Sequence, residues 1–353
     1  INRIDKSKPS FLFHSAGKDS NSIALALAEA GWQNKVTLIC YKAKGKLDES
    51  EISAKIAKQL GFKHQILYKV DQLQTQHKQV ISDYFVNVPF PCTDNASLGY
   101  PLYRLQLPEL KGTNIIDGGG NDSHMMTPPT ARELKVFPLS KLTHHVSFMR
   151  DFVKSESLFS PLIRASAEWC GMSGLSFPDT KKILPDAVNV YPHWQEESHI
   201  RRDWDLIDFK TSILTPITAS EVHIRKVRNF ADSINANMVL PWANQRVAEY
   251  FSKMPEQYLF DRKTLKNKLV LRKILKDRIG LDSDKLGKMG MGWSSNASSI
   301  VLNNWDWMLQ EMQQCTLWNK TGLVKVVTRM KNSMNGTGWG AGAAGRLISK
   351  IYL

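Results

Sequence analysis

One stretch constrains the fold more than any other. A short apolar run, Ser10-Phe11-Leu12-Phe13, enters a loop of small and polar residues, His14-Ser15-Ala16-Gly17-Lys18-Asp19-Ser20. That loop opens directly into an Ala- and Leu-rich segment that Gly31 stops. The run, bounded by Pro9, reads as a buried strand. Ser20 to Ala30 reads as a helix with a small-residue face. The pattern then repeats. Val36 to Cys40 is a second apolar run. Glu49 to Leu60 carries Ile52, Ile56 and Leu60 at helical spacing and ends at Gly61, and His64 to Tyr68 is a third strand. Leu73 to Phe85 and Ser97 to Leu107 read as helical, and Asn114-Ile115-Ile116-Asp117 is a fourth strand running into Gly118-Gly119-Gly120. Strands alternating with helices predict an α/β fold with a parallel sheet and right-handed crossovers. Ligands of such sheets bind beyond the carboxyl ends of the strands, where both glycine-bearing loops would lie.

Beyond about residue 135 the strand signals fade. Helical stretches dominate from Val222 to Phe251 and from Lys263 to Arg278, and the aromatic segment Trp305-Asp306-Trp307-Met308 sits in another. The expected division is an α/β core over 1–135 and a mostly helical, substrate-binding half over 136–353, packed on that core. Pro161, Pro178, Pro185 and Pro192 mark 155–206 as a loop-rich candidate lid.

Composition narrows the function classes. A net charge of +14, with basic stretches at Lys141 to Arg150 and Lys263 to Lys276, favours anionic partners or a solvated basic face. No apolar run approaches the roughly 20 residues of a membrane span. The polar start (Asn2, Arg3, Asp5, Lys6) predicts no signal peptide, and Ile1 in place of Met permits a removed N-terminal segment. Cys40, Cys92, Cys170 and Cys315 form no Cys-x-x-Cys pair, which predicts free thiols in a reducing cytoplasm and no zinc or iron–sulfur site. His144-His145, and His193 with His199, lack metal-ligand spacing. The glycine run Gly336 to Gly345 reads as a flexible tail or close helix packing.

The loop at 14–20 carries the first chemistry. Small residues let backbone N–H groups approach phosphate oxygens, and the helix N-terminus adds partial positive charge. Lys18 offers a point charge, while Ser15 and Ser20 offer hydroxyls. Asp19 would be misplaced against bare phosphate and makes sense as a ligand for Mg²⁺. The plainer alternative is a strand–turn–helix junction with Asp19 or Ser20 as N-cap.

The segment resembles the Ser-Gly-Gly-x-Asp-Ser loop of the N-type ATP pyrophosphatases, with Ala16 in place of the first Gly. Asp117-Gly118-Gly119-Gly120-Asn121-Asp122-Ser123 is similar to the Ser-Gly-Glu-Gly-x-Asp-Glu loop of the asparagine synthetase family. Asn237 to Glu249 resembles that family's Val-x-x-Pro-Phe-Leu-Asp-x-x-Val stretch, and Lys268-Leu269-Val270-Leu271-Arg272 its Lys-x-x-Leu-Arg helix. Ser97 and Pro101-Leu102-Tyr103 also fit a family stretch that borders the substrate pocket. The likeness runs in order over about residues 10 to 290.

The resemblance implies an adenine nucleotide alpha hydrolase-like sheet and an enzyme that cuts ATP to AMP and pyrophosphate. It would activate a carboxylate as an acyl-adenylate for attack by ammonia or an amine. Ser15, Ala16, Gly17, Lys18, Asp19, Ser20, Cys40, Asp117 and Gly118 would bind the nucleotide. Asp19 and Asp122 would hold Mg²⁺, because two carboxylates facing one triphosphate need a metal between them. Lys268 would stand over the α-phosphate, with Asp122 as the other catalytic residue. On a helix read without the resemblance, Lys268 is a solvated base.

The sequence also departs from the family. Gly119 replaces the Glu that handles the incoming amine, Ser123 the second acid, and Asn244 the Asp after Pro-Phe-Leu. His14, Asp117 and His124 are the candidates to supply the missing base. No Cys nucleophile precedes the phosphate loop within these residues, so ammonia is expected from a separate glutaminase subunit or from solution. The partner would be a small-molecule, sugar or peptide carboxylate, with nucleic acid less favoured. Two other readings stay open. One adenylates a nucleobase carbonyl, which the charge and Lys18 favour. The other is a non-catalytic nucleotide-binding subunit, which Gly119 and Ser123 favour.

Overall fold

A computed structural model of the chain describes residues 1–42, 48–70, 72–143, 150, 152–157, 159–160, 163–171, 174–286, 299–334 and 339–353. His144, His145, most of the Lys141–Arg150 stretch, and Gly336 and Gly338 of the glycine run lie outside the described residues. The chain divides into two compact units, the first comprising 1–70, 74–126 and 219–293, the second 71–73, 127–218 and 294–353.

The first unit is built on a five-stranded, all-parallel sheet. Its strands are β1 (Ser10–Phe13), β2 (Val36–Lys42), β3 (Lys63–Tyr68), β4 (Asn114–Ile116) and β5 (Asn237–Val239), in the order β3-β2-β1-β4-β5. Helix α1 (Lys18–Glu29) joins β1 to β2, and α2 (Ser50–Leu60) joins β2 to β3. Helices α3 (Thr75–Asn87) and α4 (Tyr100–Gln106) return the chain to β4. Right-handed crossovers that step outward from β1 to β3 put α1 and α2 on one face, and the reversal toward β4 puts α3 and α4 on the other. On the first face Leu25, Ile56, Leu275, Ile279 and Leu281 form a buried cluster that recruits the helix Leu269–Ile279. On the other, Phe13 meets Tyr100 edge-on at 5.6 Å and Phe230 at 6.0 Å. At the amino end of the sheet the buried Asn114 amide accepts from Asp5 N–H at 2.9 Å and from Asn237 Nδ2 at 2.8 Å, and donates to Ser10 Oγ at 3.0 Å. It ties β1, β4 and β5 into one register.

The direction change between β1 and β4 is a topological switch point, the place where open α/β sheets hold ligands. Both loops singled out in the sequence leave the carboxyl ends of these two strands.

The expected boundary at 135 is corrected. The short strand β5 pairs with β4 through Asn114–Asn237, Ile115–Met238 and Ile116–Val239, which draws 219–293 into the first unit.

The second unit is helical among its described residues. Its core includes Phe137, Ala167, Cys170, Leu206, Phe209 and Ile213, with Trp169 and Trp194 against them. The stretch 155–206, expected as a lid loop, contains helices Ser166–Cys170, Phe177–Ile183 and Tyr191–Ile200. Pro178 and Pro192 stand in first turns, where a missing N–H costs nothing and the fixed φ suits a helix. The segment is also pinned. Arg329 pairs with Glu156 at 2.8 Å and with Asp179 at 2.7 Å, and Arg150 with Glu168 at 2.8 Å. The described part of the glycine run lies in helix Trp339–Tyr352, where Ala343, Ala344 and Ile348 are buried. Among the described residues no helix is long and apolar enough to cross a membrane, and all four cysteines are free.

Candidate functional site

The loop after β1 is held from beneath by a chain of buried polar groups. Asn21 uses both amide hydrogens on the loop, donating to Ser15 O at 2.9 Å and to Gly17 O at 2.6 Å. Its Oδ1 therefore accepts, and His14 Nε2 donates to it at 3.0 Å. His14 Nδ1 then accepts from Ser53 Oγ at 2.7 Å, and Ser53 accepts in turn from His64 Nε2 at 2.8 Å. Burial lowers the His14 pKa to about 4, so the ring is neutral in this relay. His14 is thus part of the scaffold and not the free base considered above.

The loop's own N–H groups are largely engaged. Ser15 N–H donates to Ser20 Oγ at 3.2 Å, Gly17 N–H to Ser15 Oγ at 3.0 Å, and Ala16 N–H to Glu49 Oε2 at 3.2 Å. Burial pushes the Glu49 carboxyl up, against the opposing pull of Ala16 N–H and Ser15. Gly17 is the N-cap of α1, so Lys18, Asp19 and Ser20 form its first turn. The Cys40 thiol is buried in β2, and burial pushes it up to about 12.

The loop after β4 is pressed against the first. A Cβ on Gly118 would lie 3.2 Å from Ser20 N and 3.3 Å from Asp19 Cβ, so a side chain there would force the two loops apart by a few tenths of an ångström. Gly120 has φ +105°, and a Cβ there would meet Ala243 Cβ at 2.9 Å. Ala243 belongs to the Pro241-Trp242-Ala243-Asn244 segment after β5, and Trp242 Nε1 donates to Asp19 O at 3.1 Å. Asn244 accepts from Arg246 N–H at 3.0 Å as an N-cap, a role Asp would fill equally well.

These approaches bring Asp19, Asn121, Asp122 and Lys268 together. Lys268 Nζ donates to Asp19 at 2.7 Å, to Asp122 Oδ1 at 2.8 Å and to Asn121 Oδ1 at 3.0 Å. Asn121 Nδ2 also donates to Asp19 Oδ1. Burial works against the ammonium, but the two carboxylates outweigh it and hold its pKa above the ordinary lysine value. Lys268 is the N-cap of helix Leu269–Ile279 and is not a solvated residue on its face. Its backbone is left-handed, at φ 59° and ψ 39°, a costly conformation for a residue with a side chain. The cation between the two carboxylates, expected to be a metal, is here this ammonium. The oxygens of Asp19, Asp122 and Asn121 still converge on one point, as a hard divalent cation requires. Among the described residues no group of three or more His, Cys, Asp or Glu side chains is placed to hold a metal.

Asp117 and Gly119 face a second charged cluster. Gly119 N–H donates to Asp117 Oδ1 at 2.7 Å, and a Cβ on Gly119 would lie 3.1 Å from that oxygen and 4.0 Å from His223 Cβ. Burial pushes the Asp117 carboxyl up, with Lys226 opposing it. Lys226 Nζ donates to Asp94 Oδ2 at 2.6 Å and lies 3.4 Å from His223 Nδ1. Burial and Lys226 lower the pKa of His223. His124 stacks on Phe251 at 5.7 Å, and its Nε2 is buried. Ser123 Oγ donates to Gly120 O at 2.7 Å and so shapes the loop. Ser97 and Tyr103 are core residues.

Sequence reading missed Glu49, Asp94, His223 and Lys226 as site residues, because each lies on a segment distant from the loops, and missed Asn21 because it reads as an ordinary residue of α1. Asn121 alone carried a local signal, lying inside the glycine-bearing motif. Comparison with models of known protein families and with curated proteins finds no significant match.

Proposed function

We propose that this chain is an ATP-dependent, AMP-forming ligase that activates a carboxylate as an acyl-adenylate, which ammonia or an amine then attacks. One observation carries the reading: Asp19 and Asp122, from loops at the carboxyl ends of β1 and β4, converge on Lys268 at a switch point of a parallel sheet. In this reading the first turn of α1, with Ser15, Lys18 and Ser20, receives the phosphates, and the sheet is of the adenine nucleotide alpha hydrolase-like type. Asp19 and Asp122 would hold Mg²⁺, which neutralises the charge on the leaving pyrophosphate. Lys268 stabilises charge at the α-phosphate. The acyl carbon gains a C–N bond and loses its C–O bond to AMP.

The side chain missing at position 119 has a substitute in place. Asp117 Oδ1 and His223 flank the point where a Glu would emerge. Burial raises the proton affinity of the Asp117 carboxyl, whereas burial and Lys226 lower that of the His223 ring, so in this reading Asp117 is the acceptor. Incubation with ATP, Mg²⁺, ammonia or hydroxylamine and a panel of carboxylates, with nucleotides resolved chromatographically, tests the reading. AMP and pyrophosphate formed with one carboxylate, and lost in Asp19→Ala and Asp122→Ala, support it. ADP and phosphate refute it. ATP bound without cleavage across the panel favours a non-catalytic nucleotide-binding subunit, the reading that Gly119 and Ser123 support.

A further inference from the structure

Lys268 donates to three acceptor residues with its three N–H groups, Asp19, Asp122 and Asn121. The ammonium lies on the inner side, its side chain 6% exposed, whereas the side chains of Asp19 and Asp122 are 31% and 48% exposed. The position is enforced. Helix Leu269–Ile279 begins at Lys268 in a left-handed conformation. On either side, Arg272 Nε donates to Asn267 O at 2.8 Å and Asn267 Nδ2 to Met126 O at 3.0 Å. Without a cation the two carboxylates would repel across this small space. Among the described residues, the oxygens that converge here are those of the two carboxylates and one amide, fewer than the six that Mg²⁺ takes.

We infer that Lys268 is a resident cation, which keeps Asp19 and Asp122 assembled and denies them to a free divalent ion until a phosphate both draws the ammonium away and completes the metal's coordination. The inference rests on the reading of Asp19 and Asp122 as the residues that meet the metal of the nucleotide. It goes beyond that reading by making metal and phosphate enter together. No bond is made or broken, and the exchange is of one cation for another at the same carboxylates.

Mn²⁺ alone is the probe, titrated into nucleotide-free protein and followed by electron paramagnetic resonance of the free ion. The wild type is expected to bind with a dissociation constant above about 1 mM, since the ammonium already occupies both carboxylates and cancels one of their two charges. Lys268→Met uncovers both carboxylates and is expected to bind on the order of tenfold more tightly. Lys268→Arg keeps the charge and stays weak. Adding Asp19→Asn to Lys268→Met abolishes the gain. Tight binding of Mn²⁺ by the nucleotide-free wild type overturns the inference outright, whatever the folding of any variant. Unchanged or weaker binding in a folded Lys268→Met protein also overturns it. ATP cleavage by the wild type is scored separately, so failure of the ligase reading is distinguishable from failure of this one.

Discussion

Replacing His14 tests whether the phosphate loop rests on a neutral imidazole. The folded ring has a pKa of about 4, whereas an unfolded histidine titrates near 6.5. Between these values the unfolded chain binds a proton that the folded chain refuses. Stability contributed by this site therefore falls as pH falls from about 6.5 to about 4 and is fully present above that window. The full difference corresponds to roughly 3 kcal/mol, of which about 2 kcal/mol is lost between pH 7.5 and pH 5. His14→Gln removes the titration, and it also leaves Ser53 Oγ without the ring nitrogen it donates to, at a pH-independent cost of about 1–3 kcal/mol. Hydrogen exchange in graded urea, read on peptides from β1 and α1, isolates the opening free energy of this region. The wild type should lose about 2 kcal/mol more than His14→Gln between the two pH values. His64 titrates in both proteins and cancels in the comparison. Equal pH slopes would refute the neutral relay. Nitrogen NMR gives an independent check, with His14 protonated at Nε2 and bare at Nδ1.

Three other outcomes follow from the geometry. Gly120→Ala places a methyl group at φ +105° and 2.9 Å from Ala243, and should cost about 1–3 kcal/mol in thermal or urea denaturation and, on the proposed reading, weaken ATP binding. Arg329→Gln leaves Asp179 and Glu156 buried without their guanidinium and should destabilise by about 3 kcal/mol at pH 7. Burial would raise the Asp179 pKa, but Arg329 and Ser155 hold it well below the usual carboxylate range. The stabilisation is therefore present above about pH 4, is lost on further acidification, and should vanish from the variant's acid-unfolding profile. Gly119→Glu puts a side chain 3.1 Å from Asp117 Oδ1, so on the proposed ligase reading it should lower ammonia-dependent AMP formation by on the order of tenfold, and Asp117→Asn in the same chain should recover part of the loss.

The first four strands were legible because each is an apolar run closed by turn residues, and the glycine loops because their residues are contiguous. Strand β5 was not, since Asn237-Met238-Val239 has no local pattern and becomes a strand by pairing with β4. Missing it put the domain boundary at 135. Pro178 and Pro192 looked like loop markers because the sequence does not say which side of a proline a helix takes. Glu49 is 33 residues from the N–H it accepts, and Asn21 reads equally well as a helix residue. Side chains that serve a loop from another element leave no spacing to read.

The convergence of Asp19 and Asp122 follows from these facts taken together. Reversal of the strand order at β1 and β4 leaves the carboxyl ends of two neighbouring parallel strands uncovered. The loop then lies so close to the start of α1 that a Cβ on Gly118 would come within 3.2 Å of Ser20 N. That approach brings two carboxylates to one point, which is unfavourable by itself. The countercharge comes from the far end of the unit, on a lysine held in a left-handed backbone and sealed from solvent. A chain selected for stability alone would have no use for two crowded acids, a strained lysine and a buried Glu49 on the loop beside them. Each is a local cost that the surrounding sheet sustains, and all lie where a parallel sheet holds its ligand.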